Sequence, residues 1–202
     1  MFGSRTRITL AGTGIAAALL IAGCANGNDS APTTTAPMSG MDHGTSSSAT
    51  RGDFNDADVS FLQMMYPHHA QAVDMANLVP TRSQNQQLIA LAANVEKAQA
   101  PEMQRISDLL RAFGKPAPAA TMGHDMPGMM SHDQMTTLQN STGPEFDRLW
   151  MQMMIDHHRG AIDMSNAELS GGANPDAKTL AQQIITAQQA EIQQMRTMLN
   201  QG

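Results

Sequence analysis

An all-α chain is predicted, an antiparallel four-helix bundle made from one helix hairpin used twice, with a short connecting helix between the copies. Three observations lead there. Phe61-Leu-Gln-Met-Met-Tyr-Pro-His-His-Ala-Gln-Ala-Val-Asp-Met-Ala-Asn77 aligns without gaps on Trp150-Met-Gln-Met-Met-Ile-Asp-His-His-Arg-Gly-Ala-Ile-Asp-Met-Ser-Asn166, at an offset of 89. The same offset carries on downstream, matching Leu91 with Leu180, Val95 with Ile184, Gln99 with Gln188 and Glu102 with Glu191. A fixed offset across both segments marks a duplicated unit. Finally, the apolar residues recur at helical rather than strand spacing.

The elements follow in order. With His68 at zero and 100° per residue, Phe61, Met64, Met65, Ala72, Met75 and Val79 fall within about 60° of it. His69 points about 100° away, beside Leu62, Val73 and Ala76. Pro67 should loosen or kink this helix, and Leu78 to Arg82, with Pro80 and Thr81 as cap, should end it. The next helix carries Leu88, Leu91, Val95, Gln99, Glu102, Ile106 and Leu109 on one face. Gly114 to Met130 reads as a loop. Ser131 with Gln134 suits a capping box that starts a short helix through about Gln139, and Asn140 to Pro144 breaks it. In the second copy Asn174 and Pro175 suit a cap and first helical position. Two hairpins should pack about a pseudo-two-fold axis.

Residues 1–23 read as a secretory signal. Arg5 and Arg7 precede the uncharged apolar run Ile8 to Ala22, shorter than the ~20 residues a membrane span needs. Leu20-Ile-Ala-Gly-Cys24 has the form of a lipobox, which makes Cys24 the lipidation site and places the chain outside the cytoplasm, anchored to a membrane. Cys24 is the only cysteine, so thiolate metal sites and cysteine catalysis are excluded from the lipidated protein. Residues 24–53, rich in Ser, Thr, Ala, Pro and Gly, read as a flexible tether. Residues 54–202 form the domain, with repeat 1 at about 54–113, a Met/His-rich linker at 114–143 and repeat 2 at about 144–202. Removing the signal takes the net charge from −6 to −8, because two arginines and no acid leave. No basic patch for nucleic acid remains.

The 18 methionines are distinguished by their placement. Met64 precedes His68 by one turn, as Met65 precedes His69, and Met75 lies two turns beyond His68. Met153, Met154, His157, His158 and Met164 repeat this arrangement. Thioether favours Cu(I) and imidazole suits both Cu(I) and Cu(II), so these faces suit copper, with silver a competitor. A methionine stripe can also be ordinary core, and a buried histidine can simply be hydrogen-bonded. Glu102 and Glu191, on apolar stripes, could ligate metal, orient a histidine or reach water. The linker adds Met122, His124, Met126, Met129 and Met130, and the tether adds Met38, Met41 and His43. Such Met/His tracts have a metal-binding composition.

The doubled Met-Met-x-x-His-His-x-x-Ala-[Val/Ile]-Asp-Met signature, each copy followed by Gln-x-x-Glu, resembles the bacterial domain-of-unknown-function family numbered 305, over roughly Phe54 to Leu199. The resemblance implies a ferritin-like four-helix fold, secreted or lipid-anchored placement, and periplasmic copper binding with copper tolerance. Carried over, it points to His68, His69, Met65, Met75, His157, His158, Met154 and Met164.

The expected function is extracytoplasmic copper binding, preferring Cu(I), for sequestration, tolerance or handover to another protein. One alternative is a metal-free helical interaction module. The other, a di-iron oxidase, lacks the Glu-x-x-His that such sites use. No Gly-x-Ser-x-Gly, P-loop or His-Glu-x-x-His occurs, so no enzyme activity is expected.

Overall fold

In the computed structural model, residues 53–116, 119 and 126–201 are described. The signal, Cys24, the tether with Met38, Met41 and His43, and Met122 and His124 of the linker lie outside the described residues. Among the described residues five α-helices follow one another: α1 (Asp56–Arg82), α2 (Gln86–Ala112), α3 (His132–Asn140), α4 (Gly143–Gly171) and α5 (Pro175–Leu199). The described residues contain no strand. Helices α1 and α2 pack as one hairpin and α4 and α5 as the other; α1 against α4 joins them, and the short α3 leans on α4. The expected all-α bundle is what forms.

Side chains fix the helix starts. Asn55 and Asp58 make a reciprocal capping box on α1, Asn85 caps α2, and Ser131 with Gln134 caps α3 as expected. Asn174 accepts from the backbone of Asp176 and Ala177, with Pro175 opening α5. Each such cap is worth about 1 kcal/mol.

The first hairpin departs from expectation at Pro80, which lies inside α1. Helix α1 runs unbroken through Pro67 and Pro80 to Arg82, and α2 runs through Pro101. Each proline removes one backbone donor. The apolar face of a 27-residue helix holds it together, because helix stability in proteins comes mostly from packing. Pro80 lies so near the end that only one further residue separates it from Arg82. The connection is therefore Ser83 to Asn85. Thr81 is not a cap; its hydroxyl donates back to the Leu78 carbonyl inside the last turn. On α2 the buried stripe drifts from Leu109 to Leu110, as expected when a 3.6-residue turn runs through seven turns.

Two hydrophobic clusters fill the bundle. One unites Met75, Val79, Leu88, Leu91, Val95, Phe146, Trp150, Met154, Ile192 and Met195 with Met130 and Leu138 of the linker and α3. The other unites Phe61, Leu62, Met65, Ile106, Leu110, Met164, Leu180 and Ile184. On every long helix the boundary between them is polar. His68 and His69 fall between Met65 and Ala72 on α1, and His157 and His158 between Ile155 and Ala161 on α4. Gln99 and Glu102 interrupt α2, and Gln188 and Glu191 interrupt α5. A polar layer thus crosses mid-bundle, between two apolar ends.

Candidate metal centre

The four histidines of this layer are fully buried. His68 and His157, equivalent in the repeat, meet across the α1–α4 interface with ring centroids 3.8 Å apart and planes tilted by 39°. His69 and His158 turn outward instead, each to the glutamate of its own hairpin. His69 Nε2 lies 2.8 Å from Glu102 Oε2, and His158 Nε2 lies 2.7 Å from Glu191 Oε2. Of the roles open to the two glutamates, the geometry shows them holding histidines.

The inner pair stays neutral. Burial pushes the His68 imidazole down to about 3, the neighbouring His69 charge adding to the effect and the Pro127 carbonyl opposing it. Burial likewise holds His157 well below the usual histidine range, with the charges of His68, His158 and His69 adding to it. Neutral imidazole is the ligating form. Nδ1 of all four histidines, and Nε2 of His157 as well, are buried without a hydrogen-bond partner. The side-chain amides of Gln99 and Gln188 are buried and unpartnered too. Buried polar atoms are normally paired, so this concentration in one layer calls for an explanation.

Met65 and Met154, each one turn before a histidine, are fully buried, as is Met75; Met164 is nearly so. Among the described residues no three of His, Cys, Asp and Glu converge as a metal-holding group. The nitrogens alone do not complete a site for a hard ion. Thioether sulfur, where it joins such nitrogens, selects soft metals.

The linker methionines are not loose. Met130 is buried in the core, while Met126 and Met129 are half-buried. Gln71 holds Met130 at both backbone groups: its Nε2 donates to the Met130 carbonyl at 2.8 Å, and its Oε1 accepts from the Met130 N–H at 2.7 Å. One turn away, His68 Nε2 donates to the Pro127 carbonyl at 3.0 Å. Gly128, at φ +77°, and Gly160 let this strap lie on α4; a Cβ on Gly160 would run into the Pro127 carbonyl. Residues 126–130 belong to the segment read as a loop and lie on the bundle. Intimate backbone packing holds them.

Sequence reasoning missed a carboxyl pair at the far end of α1. Asp58 is buried and accepts from the backbone N–H of Asn174 at 2.8 Å and of Ala173 at 3.1 Å. Burial opposes its ionisation, but hydrogen bonds from the Asn55 and Asn174 backbone, the Glu168 carboxyl and the Ala173 backbone outweigh this and hold its pKa below the usual value. Glu168 is pushed up to about 8 by burial, then by the hydrogen bond to Asp58 and by its charge, with Lys178 opposing. The counterpart of Glu168 at the repeat offset is Val79, so the repeat pattern gave no sign of it.

Known proteins share this architecture. A crystal structure of a DUF305 fragment from Deinococcus radiodurans is 31% identical, covering 73% of this chain and 98% of that one, with a TM-score of 0.68. CopM in its Cu(I)-bound form is 30% identical, covering 71% of this chain and 96% of that one, with a TM-score of 0.62. Its Cu(II)-bound form gives 32% identity, the same coverage and a TM-score of 0.64. CopM has also been solved with silver bound. No curated protein matches the chain. The sequence profile of the domain of unknown function DUF305 matches residues 58–199. The chain belongs to the DUF305 family.

Proposed function

We propose that this protein binds Cu(I) as cargo outside the cytoplasm, at the buried His68–His157 pair, with Met65, Met75, Met154 and Met164 as the sulfur donors. The observation that carries the reading is the polar layer. Five buried imidazole nitrogens lack partners, in a layer that also holds the Gln99 and Gln188 amides and on helix faces that carry buried thioethers. An ion would satisfy nitrogens that otherwise stand as a desolvation cost of about 1–3 kcal/mol each. The likeness to CopM, solved with Cu(I), Cu(II) and silver, supports the choice of metal. His69 and His158, each held by a glutamate, flank the pair and either complete its coordination or fix its shape. Cu(II) and silver are the expected competitors.

Because the inner rings lie 3.8 Å apart, centroid to centroid, the two hairpins share one tight ion. Met126 and Met129, with Met122 and His124, supply weaker capture. The role is sequestration or handover, without catalysis, and the lipobox at Cys24 supports export and anchoring to the membrane facing the periplasm or exterior.

Competition against a Cu(I) chelator tests the site. His68→Ala and His157→Ala should each abolish the tight class, since either leaves half a shared site. Met122, Met126 and Met129 changed together to Leu should lower stoichiometry and spare the tight class. Parent-like Cu(I) binding by the double histidine variant assigns the histidines to structure and the binding to the linker.

A further inference from the structure

The two flanks of the α1–α4 interface occupy equivalent positions in the repeat, yet they differ. On one flank a cavity of about 340 Å³ lies between the helices, lined among others by Ser60, Phe61, Met64, Met164 and Glu168. Ser60, Asp163 and Ala167 on its walls are exposed, so it opens to solvent. Advancing or retreating by 89 residues maps this lining onto Leu149, Trp150, Met153, Met75 and Val79. Those side chains close the opposite flank, packed in one cluster with Met130 and Leu138. Two further exchanges work in the same sense: Ala57 of the open flank corresponds to Phe146, and Ala167 to Leu78. Wherever the two flanks differ, the open flank has the smaller or more polar residue, while Met64, Asp163 and Met164 are unchanged in their counterparts.

The open flank also leads somewhere. Pro127 lines the cavity, and its carbonyl is the acceptor for His68 Nε2. One residue of the strap therefore separates solvent from the inner histidine pair. Met64 from α1 and Met164 from α4 present thioethers on either wall, and exposed Asp163 adds negative charge.

We propose that this cavity is the port by which a soft monovalent cation reaches the His68–His157 pair, with Met64 as the transient donor that passes it to Met164 of the tight site and the strap 126–130 as its gate. The proposal rests on the copper reading above and adds the route. Passage exchanges the His68–Pro127 hydrogen bond for a metal contact. Gln71, gripping Met130, holds the strap so that it returns. The route explains why the linker seals one flank with Met130 and Leu138 and leaves the other lined by sulfur.

The test separates rate from equilibrium. Uptake of Cu(I) from a weak chromophoric chelator is followed by stopped flow, and the same proteins are titrated to equilibrium. Ala57→Phe with Ser60→Leu installs the residues of the closed flank. It should slow uptake about tenfold, within the range over which association rates vary among related variants, and leave the tight class unchanged. Met64→Leu, which conserves volume, should slow uptake without disturbing the fold. Leu149→Ser on the closed flank should change neither rate nor titration. With no metal present, peroxide should oxidise Met64 well before Met153, and the filling variant should protect Met64. Parent-like uptake in both groove variants, equal slowing by Leu149→Ser, or equal oxidation of Met64 and Met153 overturns the port. A parent lacking the histidine-dependent tight class in the titration overturns the copper reading itself, and the port falls with it.

Discussion

Asp58 and Asp147 occupy the same position in the two copies of the repeat and lead different lives. Asp58 clasps the α4–α5 turn through the backbone of Ala173 and Asn174, and Asn55 Nδ2 adds a bond to the Gly171 carbonyl. Asp147, facing the equivalent α1–α2 turn, has a buried Oδ1 with no hydrogen-bond partner. The reason lies in what is present once. Repeated segments build a symmetric frame, but the linker and α3 can cover only one flank. Each half then adapts to its own surroundings: Trp150 and Phe146 where Met130 and Leu138 pack, Phe61 and Ala57 where only Pro127 reaches. Duplication specifies the bundle, while the unrepeated strap specifies what is open, closed or held.

The largest effect should come from the aromatic pair. Trp150→Ala empties a fully buried site and leaves the Met75 carbonyl without its indole donor at 2.9 Å, so it should cost about 5 kcal/mol in denaturant unfolding, at the top of the range for large-to-small core changes. Phe61→Ala, beside an existing cavity, should cost about 3 kcal/mol. Equal costs would mean that the flanks are packed alike.

The aspartates come next. Asp58→Asn removes a charged acceptor from two backbone donors of the α4–α5 turn and should cost about 2 kcal/mol. Asp147→Asn should stay within about 0.5 kcal/mol of the parent. Gln71→Ala should follow at about 1 kcal/mol, with its clearest sign in amide exchange, where the Met130 N–H loses protection while the α5 amides do not. Gly160, its counterpart, works oppositely. Gly160→Ala adds an atom where the Pro127 carbonyl lies and should unseat the same strap.

The comparison also has a pH dependence. Glu168 has its folded pKa raised from 4.5 to about 8. Its contribution is complete below 4.5 and is lost as pH rises through about 8, because the folded chain keeps a proton that the unfolded chain releases. Asp58, shifted below 3.8, has the opposite sign and loses its contribution as pH falls below that value. Thermal midpoints should therefore decline between pH 4.5 and 8, and Glu168→Gln should flatten that alkaline decline while leaving the acid limb. An unchanged alkaline slope in this variant would place the titrating group elsewhere.

The frame was readable in one dimension because its determinants are local or periodic. The 89-residue offset reveals two hairpins, the 100° count places His68 and His157 on inner faces, and Ser131, Gln134, Asn174 and Pro175 are caps recognisable within four residues. The features that escaped are contacts between distant segments. Asp58 and Ala173 are 115 residues apart, and nothing near either announces the other. Gly160 against Gln71 looks like a lapse in the repeat until the strap is seen to need bare backbone on one helix and an amide on the other. Pro80 misled for the opposite reason. It is a strong local breaker, overruled by the packing of Val79 and Met75 on either helix turn before it. Glu102 and Glu191 were noticed on their stripes, but only the fold shows each meeting a histidine.

Trp150 also has an optical consequence. It is the only tryptophan in the chain, fully buried, with its indole N–H fixed on the backbone of Met75, a residue of the proposed sulfur set. The protein therefore carries a single indole fluorophore, selectively excited above the tyrosine band, whose emission is blue-shifted by its dry surroundings and whose local structure is anchored to the helix that bears His68. Any rearrangement of α1 around an ion alters the light that this one ring emits, so the interior reports on itself without a label.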